Sequence, residues 1–170
     1  RKTPPYANYK AEGVYNLTAE EYAINQAVQV EKIGPDFHSG GANWIYSDST
    51  SGGRVTSEVT RTSGEVDAVR LPKEAYHVSQ VLFRKEAPGI HLVGHWNYPP
   101  GTSKTVWVAA NGHEVELLRN GQSLGRRTAD SKSPFLFRFD DVAYQQGKLE
   151  AVLFDVDGTE SNRTFKETAG

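Results

Sequence analysis

At Pro88-Gly89 the hydrophobic pattern changes period, and no single packed domain of one class satisfies both sides of the change. Before it, Ala19, Ala23, Ala27 and Val30 fall on one helical stripe with Tyr22 and Ile33 beside it. Thr18-x-x-Glu21 forms a capping box at the start of that stripe, and Gly34-Pro35 stops it, so the spacing predicts a helix over 18–33. Ala42-Asn43-Trp44-Ile45-Tyr46 follows Ser39-Gly40-Gly41 and reads as a short buried strand. The polar stretch from Ser47 to about Arg70 is roughly two dozen residues, a length that favours a functional loop. Leu71-Pro72-Lys73-Glu74 then opens a second helix, with Ala75, Val78, Val81 and Leu82 turned to a core.

After Pro88-Gly89 the period is that of strands. Apolar and β-branched runs occur at Ile90–Trp96, Thr105–Ala110, Val115–Leu118, Leu124–Arg127, Phe135–Phe139 and Leu149–Asp155. Asn120-Gly121 between two such runs is the strongest hairpin signal in the chain, and Asp157-Gly158 offers another. Six or seven short strands with turns between them predict an immunoglobulin-like β-sandwich over 88–170.

The first half poses a hydrogen-bonding problem. A single buried strand at Ala42–Tyr46 has no neighbour in its own segment, and each buried amide left unpaired costs about 1–3 kcal/mol. Such a strand calls for parallel partners, as the last strand of a barrel would if the earlier strands were missing. Residues 1–87 are therefore expected to be the end of an α/β barrel rather than a complete domain.

Composition excludes several chemistries. With no Cys among the 170 residues, there are no disulfides, thiolate metal sites or Cys nucleophiles. Nineteen Lys and Arg against 21 Asp and Glu give a net charge of −2 with no long run of one sign, so no nucleic-acid partner is expected. The apolar runs are far short of the ~20 residues of a membrane helix, and no membrane partner is expected either. The five His, at 38, 77, 91, 95 and 113, lack the spacing of a zinc site, and no metal is expected. His95 ends the first sandwich strand, with a role in packing against a barrel or, less favoured, in touching a sugar. The sequons at Asn16 and Asn162 carry no reading of their own.

Four segments, in order, resemble the β-galactosidase-like enzymes of glycoside hydrolase family 2. They are Gly40-Gly41-Ala42-Asn43-Trp44-Ile45-Tyr46-Ser47-Asp48, Val69-Arg70-Leu71-Pro72-Lys73-Glu74-Ala75-Tyr76, His95-Trp96-Asn97, and Val115-Glu116-Leu117-Leu118-Arg119-Asn120-Gly121-Gln122-Ser123-Leu124-Gly125. The last looks like the "VELFLNGKSLG" hairpin of the module that follows the barrel in that family. The resemblance implies the last βα units of a TIM barrel over 1–87, followed by an all-β immunoglobulin-like sandwich over 88–170. It further implies a retaining glycoside hydrolase cleaving β-glycosidic bonds, with a β-linked oligosaccharide or glycoside as partner, no organic cofactor, and a periplasmic or secreted location.

In such enzymes the two catalytic glutamates end the fourth and seventh strands, which would precede the 18–33 helix. Glu12 is the sole carboxylate before Glu20. Retaining hydrolysis needs two carboxyl groups about 5–5.5 Å apart. The segment is thus expected to hold no catalytic residue, to need the upstream barrel of the same polypeptide, and to be inactive alone.

Three residues are expected to bind substrate. Trp44, at the end of the eighth strand, matches a pocket-lining Trp of the family and is suited to stack on a sugar ring; a core role is the alternative. Asp48 offers a carboxylate to a sugar hydroxyl, or a cap for the loop. Arg54 offers a guanidinium to the substrate, or a clamp on the loop itself. Glu58 and Glu65 read as loop carboxylates. The rival reading is a non-catalytic carbohydrate- or protein-binding sandwich, which an open face around Trp107 would favour.

Overall fold

The computed structural model describes residues 19–33, 39–42, 45–49, 64–131 and 133–169. They divide into two compact units that meet at His77 and Val78. The division falls inside a helix, ahead of the boundary at 87 expected from the change of hydrophobic period and the family resemblance.

In the first unit, α1 spans Ala19–Ile33. Ala23 and Ala27, one turn apart, are fully buried, and Gln26 beside them is buried as well. Glu20 and Glu21 in the first turn and Lys32 in the last complement the helix dipole. α2 spans Glu74–Phe83, two residues later than Pro72 suggested. Lys73 supplies the carbonyl that accepts the Tyr76 amide, while Pro72 bridges back to Val66.

The expected strand at 42–46 is corrected in its described part. Residues 42, 45 and 46 are not in a strand; 43 and 44 lie outside the described residues. The chain pairs one step later and within its own segment. Ser47 forms a parallel bridge with Val66, the Val66 amide donates to the Tyr46 carbonyl at 2.9 Å, and the Asp48 amide donates to the Val66 carbonyl at 3.0 Å. The long loop returns to its own beginning, where the Tyr46 carbonyl and the Asp48 amide are paired with Val66.

The second unit contains the sandwich. β1 (Ile90–Val93), β2 (Ser103–Ala110) and β5 (Leu136–Ala143) form one antiparallel sheet in the order β1-β2-β5. β3 (Glu114–Arg119), β4 (Gln122–Thr128), β6 (Lys148–Phe154) and β7 (Glu160–Glu167) form the other, in the order β4-β3-β6-β7. Asn120 and Gly121, with φ of 51° and 80°, make the two-residue turn that their sequence announces between β3 and β4. Trp96, Val106, Val108, Leu117, Phe137, Phe139 and Leu153 meet between the sheets, each nearly or fully buried. Burying such side chains contributes about 1.5–3 kcal/mol apiece. Trp96 also donates its indole N–H to the Gln145 carbonyl at 3.0 Å, so its polar tip is satisfied where its ring is not exposed.

The outer face of the four-stranded sheet is a ladder of charges. Arg126 pairs with Glu114 at 2.9 Å and Glu116 at 3.1 Å, and its guanidinium lies 4.0 Å from the Phe154 ring centroid. Arg163 pairs with Glu160 and Glu150, Lys148 pairs with Glu150, and the Lys148 ammonium sits over Phe165.

Candidate functional site

Of the residues expected to bind substrate, Asp48 is described; Trp44 and Arg54 lie outside the described residues, as do Glu58 and His38. Asp48 stands where the long loop leaves and returns. Its Oδ1 accepts the Gly64 amide at 2.8 Å and the Lys73 ammonium at 2.7 Å, with the carboxylate largely buried. One oxygen therefore ties three points of chain together, 16 and 25 residues apart.

Gly64 explains why the stem closes so tightly. A Cβ there would lie 2.5 Å from the Ser47 carbonyl carbon and 2.6 Å from the Val66 oxygen, and against the Asp48 amide nitrogen as well. Only the absence of a side chain permits two backbones to approach this closely.

Beyond the stem, Asp67 organises a turn. Its Oδ1 accepts the amides of Val69 at 2.9 Å and Leu71 at 2.8 Å, and its backbone exchanges bonds with Arg70 and Leu71. Arg70 is thereby held at a φ of 74°, a left-handed conformation uncommon outside Gly and Asn. Its guanidinium lies 5.8 Å from the ring of Tyr46, an exposed aromatic residue. Val69 and Leu71 on either side are exposed too. Tyr46 and Arg70 are residues that sequence reasoning did not select. The available signal was Asp67, placed as an Asx-type turn residue two and four positions before the amides it accepts.

Among the described residues no group of three or more His, Asp and Glu is placed to hold a metal ion. His95 stacks on Tyr98 at 4.5 Å between ring centroids, and its Nδ1 accepts the Asn97 amide. Among the described residues no helix is long and apolar enough to cross a membrane.

A family profile for a domain of unknown function, DUF4982, matches residues 101–161, which runs from just before β2 into β7. A β-glucuronidase of Formosa agariphila is 46% identical over 162 residues, 94% of this chain and 16% of that protein. A solved β-glucuronidase from glycoside hydrolase family 2 superposes with a TM-score of 0.82 at 42% identity, covering 95% of this chain and 17% of that one. This chain belongs to glycoside hydrolase family 2. The resemblance carried by the four sequence segments is thereby a finding. A β-galactosidase of Bacteroides ovatus, matched at 34% identity over 56% of this chain and 11% of its own length, marks a more distant family 2 relative. The chain spans less than a fifth of the length of each of these relatives. The family 2 fold seen here is mostly β, in two sheets with two helices among the described residues.

Proposed function

We propose that this chain is the C-terminal part of a retaining β-glycosidase, with α1, α2 and the 46–73 stem as the last elements of its barrel and 88–170 as the following sandwich. The observation that carries the reading is the match to a β-glucuronidase along 94% of the chain, through both units. A β-glucuronide is the favoured substrate. The β-galactoside expected from the sequence segments is the second choice, supported by the shorter match to a β-galactosidase.

In this reading the acid/base and nucleophilic carboxylates come from the upstream barrel, and the present segment shapes one wall of the pocket. Trp44 is assigned as the stacking platform for the sugar ring. Asp48 bonds the stem through Oδ1 and keeps Oδ2 for a sugar hydroxyl. Arg54, from the same loop, is assigned to bind the substrate. No cofactor takes part, and the protein acts in the periplasm or outside the cell.

The test is a pair of assays. The complete polypeptide that includes this segment should hydrolyse nitrophenyl β-glucuronide faster than the β-galactoside, and the 170-residue chain should hydrolyse neither. Turnover by the chain alone that disappears in Glu58→Gln or Glu65→Gln would place the chemistry in the segment and overturn the reading.

A further inference from the structure

The sandwich carries a second surface suited to sugar, on the outer face of its three-stranded sheet. Along β2, Val106, Val108 and Ala110 enter the core, so Thr105, Trp107 and Ala109 point the other way. In register, Trp107 lies between Val93 of β1 and Arg138 of β5. The face is divided across its width. Val93, Ala109 and Leu136 are buried, whereas Arg138 and Asp140 expose 57% and 51% of their side chains, with the half-buried Trp107 on the border.

The polar groups at this border are arranged and incompletely used. Asp140 Oδ1 accepts the Thr105 hydroxyl and the Arg138 Nε, both at 2.8 Å. The Thr105 hydrogen bond, then Arg138 and Arg127, hold the Asp140 carboxyl below the usual range, so it stays ionised and keeps its grip on Arg138. Pinned through Nε, Arg138 presents both terminal nitrogens, which have no partner among the described residues; neither have Asp140 Oδ2 and the Trp107 indole N–H. The Arg138 guanidinium is 5.6 Å from the Trp107 ring centroid, near the ~6 Å limit of a cation–π contact, an association that a ligand can rearrange.

We propose that Trp107, Arg138 and Asp140 form a binding site for a uronic acid residue of an anionic polysaccharide. The indole takes the apolar C–H face of the sugar ring. The free fork of Arg138 takes its carboxylate through two parallel hydrogen bonds. Asp140 Oδ2 accepts a ring hydroxyl. A uronate is chosen over a neutral sugar because the two unbonded terminal nitrogens of Arg138 form a planar fork that matches a carboxylate. The site does not depend on the catalytic reading, since this chain would bind without hydrolysing anything.

The experiment is affinity electrophoresis of the 170-residue chain through gels containing polygalacturonate or, in parallel, neutral galactan. Polygalacturonate should retard the chain at moderate salt and galactan should not. Arg138→Gln and Trp107→Ala should each weaken the retardation roughly tenfold, about 1.4 kcal/mol. Arg163→Gln, the same charge loss on the opposite sheet, should change it much less. A denaturation midpoint for Trp107→Ala checks that its fold is intact; if it is not, the Arg138 and Arg163 variants decide. Absence of retardation, equal retardation by galactan, or equal losses in Arg138→Gln and Arg163→Gln would each overturn the site.

Discussion

At the scale of single residues, the stem of the long loop rests on Gly64 more than on any charged group. Gly64→Ala forces a methyl group into the Ser47 and Val66 backbones, which side-chain rotation cannot relieve. Overpacking of this kind costs on the order of 1–3 kcal/mol. Amide exchange at Asp48 and Val66 should accelerate accordingly, while exchange in the sandwich stays as it was. Unchanged exchange at those two amides would mean that the stem is closed by something else. Asp48 illustrates the limit of reading a site from residue type. Its carboxylate was legible as a group with work to do, yet its partners, Gly64 and Lys73, lie too far along the chain for any local pattern to indicate them. Tyr46 and Arg70 were missed for the same reason, since their proximity is made by the turn at Asp67.

At the scale of elements, the segment between α2 and β1 is fastened to the sandwich by two asparagines. Asn111 donates to the carbonyls of Arg84 and Ala87, both at 3.0 Å, and accepts the Gly89 amide at 2.6 Å; Asn162 donates to the Pro88 carbonyl at 2.7 Å. Asn111→Ala removes three hydrogen bonds, whereas Asn162→Ala removes two, the bond to the Pro88 carbonyl and the local one its Oδ1 accepts from the Arg163 amide. With about 0.5–1.5 kcal/mol net for each bond, the first variant should lose more stability than the second. Chemical denaturation of both, with exchange at Gly89 as the local probe, checks the order. This bond to Pro88 also commits the amide nitrogen of Asn162, the sequon asparagine. The strands themselves were legible because alternation survives wherever one face is buried, as in β2, β3 and β6. β7 was not delimited, because Glu160–Glu167 is an edge strand whose one large apolar residue, Phe165, is exposed. β5 runs on to Ala143, beyond the expected end at Phe139, through Asp140 and Asp141; Asp141 adopts a φ of 56° inside the strand. The expected strand at 42–46 differs for another reason: an apolar run announces burial without saying which backbone it will pair with, and in its described part the pairing begins at Ser47, with Val66.

At the scale of the whole molecule, the core among the described residues is concentrated in the second unit. The sandwich closes its apolar interior between two sheets, so a chain beginning at Val78 should fold by itself and unfold in one cooperative transition, at a midpoint close to that of the sandwich in the full chain. Residues 19–33, 39–42, 45–49 and 64–77 should exchange faster than β2, β3 and β6 in the intact chain. Loss of cooperative unfolding in the shortened chain would show that the first unit is needed to complete the second. The charge ladder on the four-stranded sheet has a consequence for descent as well. Arg126 serves Glu114 and Glu116 together, and Glu150 is shared by Lys148 and Arg163, so one reversal of sign leaves two like charges face to face. Inherited changes on this face are therefore expected in compensating sets, and aligned relatives should show its rungs covarying across the sheet.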